Sequence, residues 1–159
     1  MPSILGVASE TWSSVTSPIQ RVAVHAYQQS SALEELIARK RFVLSYFGKK
    51  ACNYLQTHGA LVAEPAGGFY LFPDFEPWRA KLATRKIYRS SELCTALLEE
   101  ANVAVLPGVA FGMPERSLTA RIAYVNFDGA ATLESEANLD ELFAPIKEGL
   151  SALINWLNQ

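Results

Sequence analysis

Leu118-Thr-Ala-Arg-Ile-Ala-Tyr-Val125 is a run of apolar, β-branched and aromatic side chains with one charge, Arg121, inside it. Such a composition favours an extended strand. Successive side chains in a strand point to opposite faces. Arg121, Ala123 and Val125 therefore share one face, and Ala120, Ile122 and Tyr124 the other. Moving outward, Asn126–Gly129 reads as a turn, and Val103–Leu106 as a short strand ended by Pro107-Gly108. Ala60–Ala63 and Gly68–Phe72 read as two more strands, separated by Glu64-Pro65-Ala66-Gly67.

Helical periodicity surrounds these strands. Ser17 followed by Pro18 is a helix start, with a capping hydroxyl and then a residue that has no N–H to leave unpaired. From Pro18 to about Tyr54 apolar residues recur at helical spacing: Ile19, Val22, Ala23, Ala26 and Tyr27, then Leu33, Leu36, Ile37, Val43, Leu44 and Phe47. A break is expected near Gln29–Ser31, where Ser30 and Ser31 can cap a second helix. His58-Gly59 closes the pattern, with Gly59 in the left-handed position after a C-cap. Phe75–Leu82 reads as a short surface helix, and Ser90-Ser91-Glu92 starts another, with Leu93, Ala96, Leu97 and Ala101 inward. Leu133–Leu157 reads as a final amphipathic helix that Pro145 should bend or break. The order of long helix, strands, helix, strands, helix predicts a two-layer α/β (α+β) domain. A three- to four-stranded sheet is covered by helices and preceded by a long connecting helix.

The bulk properties exclude several classes. Half of the 159 residues are apolar and 19% are charged, which suits one folded domain rather than a disordered chain. A formal charge of −2, from 14 basic and 16 acidic residues, gives no reason to expect nucleic acid or an anionic membrane as partner. No apolar run approaches the roughly 20 residues that cross a bilayer, and the N-terminus does not read as a secretion signal. Cys52 and Cys94 lie outside any metal or redox spacing, so a reduced, cytoplasmic setting is expected. His25 and His58 are isolated, and Asp128-Gly129 is a turn with too few oxygens for calcium; no metal site is expected.

Four segments, in order, resemble the C-terminal third of the class I/II pyridoxal-phosphate aminotransferases of fold type I. They are Ser9-Glu-Thr-Trp-Ser-Ser-Val-Thr-Ser-Pro-Ile-Gln20, Glu64-Pro-Ala-Gly-Gly-Phe-Tyr-Leu-Phe72, Val103-Ala-Val-Leu-Pro-Gly-Val-Ala-Phe-Gly112 and Thr119-Ala-Arg-Ile-Ala-Tyr124. The resemblance implies a small C-terminal domain over 59–159 and a connecting helix region over 18–58. Residues 1–17 become a loop arriving from a large domain. It also implies that Arg121 binds the α-carboxylate of an amino acid or 2-oxo acid, beside Gly68. Thr11, Trp12, Ser13 and Ser14 would form a loop reaching the neighbouring subunit's active site.

The catalytic Schiff-base lysine of that family lies in a Ser-x-x-Lys context upstream of residue 9. Lys40, Lys49, Lys50, Lys81, Lys86 and Lys147 all lack that context. The glycine-rich phosphate loop and the aspartate facing the pyridine nitrogen are also missing. Pyridoxal phosphate is therefore expected in the complete enzyme and not on this chain alone. Without the lysine no amino group transfer is expected.

Each assignment has a plainer alternative. Arg121 can be an edge-strand arginine in solvent. Gly67 and Gly68 can mark a bulge, and residues 11–14 a serine-rich connector. The whole chain can be a non-catalytic binding module that keeps the fold. Its long helix, lacking a partner, predicts self-association or a homodimer.

Overall fold

The computed structural model describes residues 2–11, 15–28, 30–134 and 136–159. The chain divides into two compact units, Met1–Ile37 and Ala38–Gln159. The helices are α1 (Pro2–Thr11), α2 (Ser17–Ala26), α3 (Ser31–Thr57), α4 (Arg79–Thr84), α5 (Ser90–Ala101), α6 (Leu139–Leu142) and α7 (Ala144–Leu157). The strands are β1 (Tyr70–Leu71), β2 (Leu106–Pro107) and β3 (Ala120–Ala123).

The larger unit is an α/β layer structure. Its sheet has the order β1-β3-β2, all antiparallel, so the strand richest in β-formers is central. The faces of β3 follow the alternation: Ala120, Ile122 and Tyr124 are buried, while Arg121 is half-buried and Ala123 exposed. Val43, Phe47, Ala51 and Leu55, four residues apart on α3, form one wall of the core. Leu93 and Leu97 of α5 and Ile146, Leu150, Leu153 and Leu157 of α7 close it. α5 packs against both α7 and β2. Gly48 is required in α3, because a Cβ there would lie 2.7 Å from the Tyr124 hydroxyl oxygen and 2.9 Å from its Cζ.

Caps follow local chemistry. The Glu92 carboxylate accepts from the backbone N–H groups of Tyr88 (2.7 Å) and Arg89 (3.1 Å) at the start of α5. Asn102, left-handed at φ 55°, ends it. Gly59, at φ 98°, stands where α3 has ended, as expected.

The strands are shorter than expected. Ala60–Ala63 reduces to one bridge, Leu61 to Asp74, and the segment that follows carries Pro65, which has no N–H for a ladder. Gly68–Phe72 narrows to Tyr70–Leu71, since Gly68 turns to φ 70°. Val103–Leu106 pairs only at its end, as Leu106–Pro107.

The final helix is not continuous from Leu133. A 3-10 turn, Ala131–Leu133, precedes α6, which Asn138 caps by accepting from Asp140 N–H at 3.2 Å. α7 then starts afresh with Pro145 in its first turn, the position proline tolerates. The expected surface helix at Phe75–Leu82 is a 3-10 turn (Glu76–Trp78) running into α4. It is not merely superficial: Phe75, Trp78 and Leu82 are buried.

The smaller unit holds α1, α2 and the start of α3. The loop expected over 1–17 is largely helical: Pro2–Thr11 form α1, where the Thr11 hydroxyl donates back to the Val7 carbonyl at 2.7 Å. The cap of α2 is Thr16, one residue before the expected Ser17, with Pro18 in the first turn. α2 buries none of its residues.

Candidate functional site

Arg121 projects from the centre of β3 on the face away from the core. Antiparallel pairing sets Leu106 opposite Arg121 and Tyr70 opposite Ala123, so Tyr70 is the diagonal neighbour of Arg121 on the same face. The Arg121 guanidinium carbon lies 4.2 Å from the centre of the Tyr70 ring and 4.3 Å from that of Phe111. Each such contact is worth about 0.5–1 kcal/mol at an exposed site. Among the described residues no carboxylate lies within ion-pair distance of Arg121. A half-buried, permanently charged fork with no anionic partner is suited to an incoming carboxylate.

The loop carrying Phe111 is built to stay in place. Pro107 leads into a 3-10 turn, Gly108–Phe111, that ends at Gly112 with φ 80°. Gly108 sits against Thr119: a Cβ would stand 1.9 Å from the Thr119 Oγ1. Its N–H donates to the Thr119 carbonyl at 2.9 Å. The Ser90 hydroxyl, fully buried, accepts from Val109 N–H at 3.3 Å. Phe72 meets Phe111 edge-on, with ring centres 5.9 Å apart.

Gly68 is tied to Tyr124. The buried Tyr124 hydroxyl donates to the Gly68 carbonyl at 3.0 Å, and burial pushes that phenol above its usual range. Nothing stands within 4 Å of where a Gly68 Cβ would be, so the glycine is required by its positive φ and not by close approach. Gly67, Gly68, Pro65, Arg41, Ser45 and Tyr124 line a concavity of about 410 Å³. Of the loop expected to reach a neighbouring subunit, Thr11 is the last residue of α1, and Trp12, Ser13 and Ser14 lie outside the described residues.

Tyr70 and Phe111 are the residues that sequence reading passed over. Both stand in segments whose importance is evident, but their contact with Arg121 depends on strand register and on the turn at Gly108. The signal available was an aromatic two residues after Gly68 and another just before Gly112, each flanking the arginine strand's neighbours.

Two of the lysines, Lys50 and Lys81, have hydrogen-bond acceptors in the structure. A lysine that forms an imine needs a neutral amine, obtained by desolvation or a neighbouring cation. Lys50 is the opposite case. Its ammonium donates to Asp140, and that hydrogen bond, with help from Tyr46, holds it protonated above its ordinary range. Lys81 donates to the Asn158 carbonyl. Among the described residues, Lys50 thus does not offer the neutral amine that an imine would need.

A family model described as aminotransferase class I and II matches residues 3–129. An aspartate aminotransferase of Bacillus sp. (strain YM-2) is 35% identical over 122 residues, covering 74% of this chain and 28% of that protein. An asparagine–oxo-acid transaminase of Streptococcus mutans is 31% identical over 150 residues, covering 89% of this chain and 35% of that protein. Among solved structures, the backbone is similar to a Methanococcus jannaschii protein described as resembling kynurenine aminotransferases in its active site. There the TM-score is 0.64 at 23% identity, covering 98% of this chain and 34% of the other. An aspartate aminotransferase from Thermotoga maritima gives a TM-score of 0.61 at 21% identity, covering 97% and 32%. The chain thus spans about a third or less of these proteins.

Proposed function

The chain belongs to the class I and II aminotransferases, and from that premise we propose that it is the carboxylate-binding portion of a pyridoxal-phosphate enzyme. The complete enzyme moves an amino group between an amino acid and a 2-oxo acid. The proposed division is a small domain over 59–159, a connecting helix region over 18–58, and an approach from the large domain over 1–17. The cofactor supplies the reactive carbonyl and the electron sink, and the lysine that holds it belongs to the large domain. This chain's part is to bind and orient. Arg121 takes the α-carboxylate by its fork, Gly68 stands in the neighbouring segment, and Thr11, Trp12, Ser13 and Ser14 approach the other subunit's site. The chain alone is not expected to transfer amino groups.

The observation that carries this reading is the Arg121 guanidinium, flanked by two rings and facing no carboxylate of the described residues. The two free, buried cysteines suit a cytoplasmic enzyme. The test is Arg121→Ala in the complete enzyme. Losing a charged hydrogen bond should weaken capture of both amino acid and oxo acid by about 1.5–3 kcal/mol. It should read as a raised KM for each substrate. Unchanged kcat/KM for both would overturn the assignment.

A second reading, that the chain associates through its N-terminal unit, has its own support. Ile19, Val22 and Val24 on α2, Tyr27 just past its end, and Ile4, Leu5 and Val7 on α1 are all exposed. Contiguous exposed apolar surface is characteristic of association sites.

A further inference from the structure

Tyr70 and Phe111 arrive at Arg121 from different elements. Tyr70 is delivered by the β1–β3 pairing, and Phe111 by the turn wedged against Thr119. Both bring a ring to the guanidinium at van der Waals distance. A guanidinium is planar: its π-faces attract rings, while its donors lie in the plane at the edge. A ring stacked on a face leaves the donor edge free for a bidentate carboxylate. A carboxylate partner in its place would occupy that edge. Phe72, edge-on to Phe111, and Ser90, bonded to the turn, make the second ring a fixed wall.

We propose that Tyr70 and Phe111 are positioning residues that hold the Arg121 fork ready for a planar carboxylate before the ligand arrives. The proposal rests on the carboxylate role given to Arg121 above. It adds that affinity depends on the two rings as rings, not as generic apolar bulk. An arginine on a free stem loses rotamer freedom when it closes on a ligand; a held arginine has already lost it.

The experiment uses the whole 159-residue chain, nitrogen-15 labelled, with the arginine side-chain N–H resonances followed during titration with pyruvate. In the unaltered chain the Arg121 signal should lie upfield of the other arginines, through the ring currents of its neighbours. It should be the arginine signal that moves with pyruvate. Phe111→Leu and Tyr70→Leu keep apolar volume and remove a ring. Each should return the Arg121 signal toward an ordinary position and raise the pyruvate Kd about two- to tenfold, the cost of ordering one long side chain. Phe111→Tyr and Tyr70→Phe keep the rings and should keep both the shift and the affinity. An Arg121 signal indifferent to the two leucine variants would overturn the proposal. So would unchanged pyruvate affinity in both variants while Arg121→Gln abolishes binding, which leaves the carboxylate role standing. Pyruvate binding that survives Arg121→Gln would overturn the carboxylate role itself. That failure is recognisable because the ring-current shift of the unaltered chain persists.

Discussion

α2 and the second half of α3 carry the same kind of apolar stripe and meet opposite fates. On α3, Val43, Phe47, Ala51 and Leu55 are at most 2% exposed. On α2, Ile19 and Val22 are 55% and 61% exposed. A hydrophobic period of 3.6 shows that a helix has a face to bury; it does not say what covers that face. In the Ala38–Gln159 unit the cover is the sheet and α7. The Met1–Ile37 unit has ten-residue helices, too short to be stable in water on propensity alone. The larger unit should therefore carry the stability of the chain.

The largest effect expected from this contrast is at Phe47. Its ring is fully buried and packs against Phe127 (4.8 Å between centres) and Phe143 (5.6 Å). Phe47→Ala should cost about 3–5 kcal/mol, transfer and cavity terms together. Denaturant unfolding followed by tryptophan fluorescence reads this directly, since Trp78 and Trp156 are both buried in the same unit. A loss under about 1 kcal/mol would mean that the core relaxes freely, contrary to close packing.

The next effect is smaller and depends on pH. Burial pushes the Cys94 thiol on α5 from 9.0 up to about 11. Below pH 9 the thiol is protonated in both folded and unfolded chains, and stability is unaffected. Between about pH 9 and 11 the unfolded chain releases the proton and the folded chain keeps it, so unfolding is favoured as pH rises. The loss across that window should be about 2–3 kcal/mol, from 1.36 kcal/mol per unit. Lys50, held protonated by Asp140, acts in the same direction. Cys94→Ala isolates the thiol: its stability profile should be flatter above pH 9. Equal slopes in the two proteins would remove the thiol from the account.

The two units also differ in how much of them could be read in advance. Helix starts and stops were legible where one residue's chemistry settles them: Pro18, Gly59, Ser90 and Pro145 all stand at or next to a helix boundary. The faces of β3 were legible because alternation is strict and one face is wholly apolar. Strand length was not: Gly68–Phe72 pairs only at Tyr70–Leu71, and Ala60–Ala63 only at Leu61. Arg121 stood out as a lone charge in an apolar strand. Its rings did not, since Tyr70 becomes a neighbour only through register and Phe111 only through the turn at Gly108. Local chemistry is written in the sequence nearby; register and wedge contacts involve residues about 10 to 50 positions apart and need the fold.

The smallest effect on stability is expected in the smaller unit, and there a second measurement carries the information. Ile19→Ser and Val22→Ser replace exposed apolar side chains on a helix that buries nothing. Exposed substitutions of this kind stay within about 0.5 kcal/mol, so the unfolding transition of the larger unit should not move. Self-association should respond differently. If the apolar face of α2 seats a second copy of this chain, two buried aliphatic side chains per copy are each worth about 1.5–3 kcal/mol. The double variant should therefore shift the monomer–dimer midpoint in sedimentation equilibrium to at least tenfold higher concentration, even if only about 1.4 kcal/mol of that is realised. A monomer at all concentrations in the unaltered chain would leave α2 without a role in self-association. An unchanged midpoint in the double variant would move the contact to another surface. A lowered melting temperature of the larger unit would instead show that α2 contributes to its core, and the contrast between the two helices would fail.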